Sequence, residues 1–182
     1  VESQGNELPN LAANHYENDV TICQQLHAQY GQAKTAMPLA VKNYSQQITD
    51  EVIKSVEKYQ VATETCLDLG CSVGRTSFML AQHFNQVDAV DFSARYIRQG
   101  VHLQEGKSVR YTLENEGDIV DFYEFNLMDV DLPCGENILF SQGDVSNLKG
   151  DFKGYDVILA QHVLEKNYDP RSFLQEVHSR LN

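Results

Sequence analysis

Tryptophan is absent from this sequence, and cysteine and proline are scarce, four of each in 182 residues. Cys23, Cys66, Cys71 and Cys134 form no C-x-x-C pair and no framework spacing. That excludes a disulfide-stapled scaffold and reads as reduced thiols of a cytoplasmic protein. No window approaches the roughly 18 apolar residues that a membrane span needs. Basic residues are few, 14 against 26 acidic ones, for a net charge of −12. They stand singly, so the clustered Lys and Arg that hold nucleic-acid phosphates or anionic lipid are missing. The expected partner is a small molecule, with neither nucleic acid nor membrane. The six histidines never stand at H-x-x-x-H spacing, and no metal site is expected. No basic-then-apolar segment opens the chain. It begins with Val1 rather than Met, as expected of a processed polypeptide or one cut from something longer.

What is present suits one globular domain with a real core, since 42% apolar residues and nine tyrosines exclude a disordered chain. From Glu17 to Tyr30, the positions Val20, Cys23, Leu26 and Tyr30 recur at helical spacing, and Gly31 follows as a stop. A second helix is expected from about Leu39 to Tyr59, with Val41, Tyr44, Ile48, Val52 and Val56 on its buried stripe. Residues 1–60 thus read as a helical cap and residues 61–182 as the core. From Thr65 strands and helices alternate. Strands are expected at Thr65–Leu69, Val87–Asp91, Ile138–Gln142 and Asp156–Ala160. Phe78, Ala81 and Phe84 mark the first intervening helix, and Ser93 caps the next, with Ile97 and Val101 inward. Asp169 and Pro170 start a last helix with Phe173, Val177 and Leu181 inward. This alternation predicts an α/β fold, a Rossmann-like, doubly wound parallel sheet. Two β-rich runs around "ENEG" predict a β-hairpin inserted at about residues 107–126. After the last helix another strand is due. The edge beside Asp156–Ala160 would otherwise stay bare, so C-terminal strands are expected to be missing from this chain.

The stretch "CLDLGCSVGRTSF", Cys66 to Phe78, is a strand, a glycine loop and a helix start. A dinucleotide fingerprint needs glycine at positions 70, 72 and 75, and Ser72 and Arg75 break it. The surviving pattern is D-x-G-x-x-x-G: Asp68, Gly70, Gly74. Both glycines let the backbone turn tightly at a ligand. The carboxylate opposes a pyrophosphate and welcomes a cation, which fits S-adenosylmethionine, a ligand with an ammonium and a sulfonium and no phosphate. Asp91 closes the second strand, where a carboxylate can accept from both ribose hydroxyls. Asp144 in "QGDV" can accept from the adenine amino group, with Phe92 and Val145 packing on the ring. "LAQHV" follows the fourth strand on the same carboxyl edge. Alone, Asp91 or Asp144 is as well read as a turn or cap residue.

Together these elements resemble the class I S-adenosylmethionine-dependent methyltransferases. "HYEND", "LDLGCSVGRTSF", "DFSARYIRQGV", "RYTLENEG" and "YDVILAQHVLEKNYDP" further resemble the methyltransferase domain of the ovothiol-biosynthesis enzymes. Those enzymes methylate an imidazole nitrogen of 5-thiohistidine (4-mercaptohistidine), and their methyltransferase domain is commonly fused behind an iron-dependent sulfoxide synthase. The resemblance implies S-adenosylmethionine as cofactor and S-adenosylhomocysteine as product. It implies pairing or fusion with such a synthase, and a cofactor site at Asp68, Gly70, Cys71, Gly74, Asp91, Phe92, Ser93, Asp144, Val145 and Ala160. His162 and Gln161 are expected where the acceptor meets the methyl group, with Tyr16 closing from the cap. Against this, His162 reads more simply as a helix-start histidine. A thiohistidine carboxylate calls for a cation, and Arg75, Arg95 and Arg110 are the choices. Arg95 also reads as solvated on a helix face, and Arg110 as cross-strand paired. The hairpin is either a cover for the substrate or a structural element. Rival readings are a methyltransferase for another small acceptor, a non-catalytic S-adenosylmethionine-binding module and, disfavoured by the loop, a nicotinamide oxidoreductase.

Overall fold

A computed structural model describes residues 18–31, 44–117 and 119–182. Tyr16, Leu39 and Val41 lie outside the described residues. Helices α1 (Asp19–Tyr30) and α2 (Tyr44–Tyr59) precede the strand-and-helix alternation. Strand β1 (Thr65–Leu69) leads to α3 (Arg75–Leu80), and β2 (Gln86–Asp91) to α4 (Ala94–Gln104). The hairpin β3 (Val109–Glu114) and β4 (Val120–Phe125) follows, and then β5 (Ile138–Gln142), β6 (Val157–Ala160) and α5 (Pro170–His178).

The central sheet has the order β5-β2-β1-β6, with every pairing parallel. Apolar residues alternate between its two faces, as the two-residue strand period requires. Cys66, Val87 and Ala89 pack with Phe78, Leu80 and Leu103 of α3 and α4 on one face. Leu67, Leu69 and Val90 pack with Phe173 of α5 on the other. Helices thus cover both faces, as a doubly wound sheet demands. The order reverses between β1 and β6, the position at which such sheets open a crevice beyond the strands' carboxyl ends.

Caps stand where side-chain chemistry puts them. Ser93 accepts from the Tyr96 amide at 3.2 Å at the start of α4, and Asp169 accepts from the Ser172 amide at 3.1 Å at the start of α5. α5 stops at His178, so Leu181 is not on its inner stripe. Instead Leu181 forms a parallel bridge with Tyr155, and the Asn182 amide donates to the Tyr155 carbonyl at 3.0 Å. The edge beside β6 is therefore covered at its start. Along Val157–Ala160 no outer strand pairs with it among the described residues.

The hairpin stands apart as a two-stranded antiparallel sheet and packs on α1. Tyr30 stacks on Phe125 with ring centroids 4.8 Å apart, and His27 Nδ1 lies 3.1 Å from the Tyr111 hydroxyl. α1 thus buries Leu26 and Tyr30 as spacing predicts, together with Thr21 and Ile22, while Cys23 is half-buried and Val20, expected inward, is exposed. α2 likewise buries Ser45, Thr49 and Val56 and leaves Tyr44 partly exposed.

Candidate functional site

The loops after β1, β2, β5 and β6 meet α1 and the start of α2 around a cleft of about 1000 Å³. The β1 loop forms its floor. Gly70 (φ +80°) and Gly74 (φ +90°) occupy the left-handed region that favours glycine. A Cβ on Gly70 would stand 2.6 Å from Val163 Cγ1, and one on Gly74 2.9 Å from the Phe140 ring. Both are thus demanded by packing as well as by conformation. Gly70 and Cys71 line the cleft, whereas Gly74 packs beneath it. Burial pushes the Cys71 thiol well above the usual range, so it is an inert wall group.

Asp68 does not line the cleft. It is fully buried behind the loop, accepting from the Ser77 hydroxyl at 2.6 Å and from Gln161 Nε2 at 3.5 Å. Burial pushes its carboxyl up to about 6, with the Ser77 and Gln161 bonds opposing and the nearby Asp91 adding to the rise. Gln161 itself lines the cleft, so Asp68 reaches that space through the Gln161 amide.

Asp91 lines the cleft and ties two turns together. Its Oδ2 accepts from the Ser72 amide and its Oδ1 from the Ser93 amide, each at 2.9 Å. Phe92, half exposed, lines the cleft next to Asp91. Ser93 is buried as the α4 cap. From the β5 loop, Asp144 and Val145 also line the cleft; Asp144 accepts from the Ser146 amide at 2.8 Å. Ala160 pairs with Leu69 at the end of β6; it is exposed and is not among the residues that line the cleft. His162, next but one, lines the mouth with its Nε2 2.9 Å from the Tyr44 hydroxyl.

The arginines separate. Arg75 lines the cleft, donating from Nη1 to the Gln29 carbonyl at 2.5 Å over the Tyr30 ring. Burial lowers its pKa. Arg95 pairs with Asp19 outside the cleft. Arg110 pairs with Glu124 across the hairpin at 3.1 Å and faces a separate depression beside Arg98 and His102. Hairpin residues do not line the cleft among the described residues; they act on it by holding α1. Sequence reading assigned no chemistry to either helix, yet Gln25 and Gln29 of α1 and Tyr44 of α2 line the cleft. The i, i+4 glutamine pair beside an apolar stripe was the signal available. Among the described residues, no group of His, Cys, Asp and Glu is arranged to hold a metal ion, and no helix is long and apolar enough to cross a membrane.

Known structures share this architecture. An S-adenosylmethionine-dependent methyltransferase from Clostridium acetobutylicum superposes with TM-score 0.55 at 15% identity, over 87% of this chain and 52% of that one. The YcgJ protein of Bacillus subtilis matches with TM-score 0.53 at 17% identity, over 75% and 47%. The PH0226 protein of Pyrococcus horikoshii matches with TM-score 0.50 at 22% identity, over 78% and 54%. The chain thus spans about half the length of these structures, and likeness at such identities establishes the fold. No functionally curated protein matches the sequence. The family pattern of the methyltransferase domain matches residues 67–182, from within β1 to the last residue, and the chain belongs to that family.

Proposed function

We propose that this chain is the cofactor-binding part of an S-adenosylmethionine-dependent N-methyltransferase that acts on a small imidazole, 5-thiohistidine, in ovothiol biosynthesis. The observation that carries the cofactor is Asp91. It is a carboxylate at the end of β2, oriented by two backbone amides and facing a cleft of about 1000 Å³. The donor set fits the ligand. Asp91 would accept from the ribose hydroxyls, Phe92 and Val145 would pack on the adenine ring, and Asp144 would accept from its amino group. Gly70, Cys71 and Gln161, with the Asp68 carboxylate behind Gln161, would hold the amino-acid end and its ammonium. When bound, the cofactor supplies a methyl carbon already activated by its sulfonium.

What the chain adds is alignment and dryness, from which most of the rate of an in-line displacement follows. Arg75 is the proposed partner of the acceptor's carboxylate. It is the one arginine among Arg75, Arg95 and Arg110 that lines the cleft. The imidazole assignment is supported by the resemblance in "FSARYIR" and the hairpin, together with a chain too acidic for a nucleic-acid acceptor. On the same resemblance, an iron-dependent sulfoxide synthase is the proposed source of the substrate.

Calorimetry should show binding of S-adenosylhomocysteine and none of NAD; the reverse result ends the methyltransferase reading for this chain. Methyl transfer to 5-thiohistidine should exceed that to histidine by several powers of ten, since a polar site left unpaired discriminates sharply. Equal rates on both would remove the thiohistidine assignment and leave the methyltransferase.

A further inference from the structure

His162 holds φ +52°, in the left-handed region that non-glycine residues seldom occupy, though histidine enters it more readily than most. It stands at the cleft mouth just after β6, and its two ring nitrogens face different partners. Nε2 lies 2.9 Å from the Tyr44 hydroxyl at the start of α2, the two rings tilted by 32° at 5.5 Å. Nδ1 lies 3.6 Å from Glu165 Oε1, on the turn that follows. An anion beside Nδ1 favours the tautomer with its proton there, which leaves Nε2 as acceptor and Tyr44 as donor. Tyr44 and His162 both line the cleft, as does Lys166, the other charged group of that turn; Glu165 does not.

We propose that Tyr44, His162 and Glu165 form a proton relay for the acceptor, an assignment that rests on imidazole methylation as the reaction. Tyr44 is the catalytic residue touching the acceptor ring, His162 is the proton's destination, and Glu165 is a positioning residue. The acceptor's unprotonated ring nitrogen forms its bond to the methyl carbon, and the sulfur keeps the electron pair of the broken C–S bond. The ring's other nitrogen gives its proton to the Tyr44 oxygen while Tyr44 passes its own to Nε2. The methylated ring leaves without the extra charge, and the imidazolium is balanced by Glu165. Tyr44 comes from a segment far in sequence from His162 and Glu165, and the fold brings its hydroxyl to the His162 ring.

The test uses the protein at its native length, with Tyr44→Phe, His162→Gln, Glu165→Gln and the Tyr44→Phe/His162→Gln pair, assayed on 5-thiohistidine. Each of the first two should lower kcat about a hundredfold while KM and S-adenosylhomocysteine affinity stay unchanged. The pair should fall no further than the worse single variant, as groups acting in one relay do. The deficit of His162→Gln should shrink as pH rises, because hydroxide then removes the proton. A merely structural contact would give a deficit independent of pH, or a change in KM or cofactor affinity, and either overturns the relay. Wild-type turnover with full rates in the variants also overturns it and leaves the imidazole reading standing. Absence of turnover by the wild type on any imidazole overturns that reading and the relay with it.

Discussion

Asp68 and Asp91 end neighbouring strands yet are solvated in opposite ways. Asp91 is half-buried and takes two backbone amides. Replacing it with alanine should weaken S-adenosylhomocysteine binding by about 1–3 kcal/mol, the scale of leaving hydrogen-bonding groups without their partner. Calorimetry on Asp91→Ala, with circular dichroism to verify folding, reads this directly; unchanged affinity would reduce Asp91 to a turn residue. Asp68 is fully buried, and burial raises its carboxyl from 3.8 to about 6. A carboxylate raised in the folded state contributes stability that is complete below the unfolded value and lost as pH rises through the folded one. Between those values the native chain holds a proton that the unfolded chain has released. The loss is on the order of 3 kcal/mol once pH exceeds both. Asp68→Asn keeps the shape and removes the titration. Urea unfolding should therefore show the variant gaining on wild type from pH 4 to pH 7.5. A constant difference across that range would show that Asp68 does not titrate in this window.

At the level of elements, what could be read in advance tracks how local the cause is. β1 and β5 run as Thr65–Leu69 and Ile138–Gln142, because an apolar run between turn residues declares a strand by itself. Ser93 and Asp169 declare helix starts for the same reason. The registers of α1 and α2 were legible in part: Leu26, Tyr30 and Val56 are buried as their spacing predicts, while Val20 and Tyr44 are exposed. What spacing could not show is the partner: Tyr30 stacks on Phe125 and His27 meets Tyr111, and no local pattern carries a hairpin so distant in sequence. The same distance hid Tyr44, which read as an apolar stripe position and proves to be a cleft residue paired with His162. Arg110 was open to two readings, a substrate cation or a cross-strand partner, and the second describes its position. Its chemistry suits a carboxylate, but the hairpin register sets it opposite Glu124. Gly70 was legible as a loop residue, though not as the contact that seats the β6 turn. Gly70→Ala would place a Cβ 2.6 Å from Val163 Cγ1 and 2.9 Å from the Gln161 carbonyl, at φ +80°. The substitution should destabilise by about 1–3 kcal/mol and displace Gln161 and His162, so S-adenosylhomocysteine affinity should fall with stability. A stable Gly70→Ala that binds normally would show that the β6 turn yields freely.

Across the whole molecule, the reversal of strand order between β1 and β6 makes a crevice, and α1 and α2 convert it into a cleft with walls. Gln29 is the clearest link between the two parts. Its carbonyl receives the Arg75 guanidinium and its side chain the Arg75 amide at 3.1 Å, at the start of the helix that the glycine loop opens. Ser72 adds a second tie, its hydroxyl donating to Gln25 Oε1 at 3.3 Å. A ligand held by the loop therefore contacts residues whose positions depend on α1. Anything that binds only the folded form stabilises it by mass action, about 2.7 kcal/mol at a hundred times the dissociation constant. The distribution of that gain is the informative part. Amide hydrogen exchange with S-adenosylhomocysteine added should slow over Gly70–Ser72 and also over Gln25–Gln29 and the first turn of α2. The outer strand of the hairpin, which lines no part of the cleft, should change little. Protection confined to the β1 loop would mean that α1 and α2 cover the sheet without forming part of the site, and the cleft's chemistry would then rest on the strand ends alone.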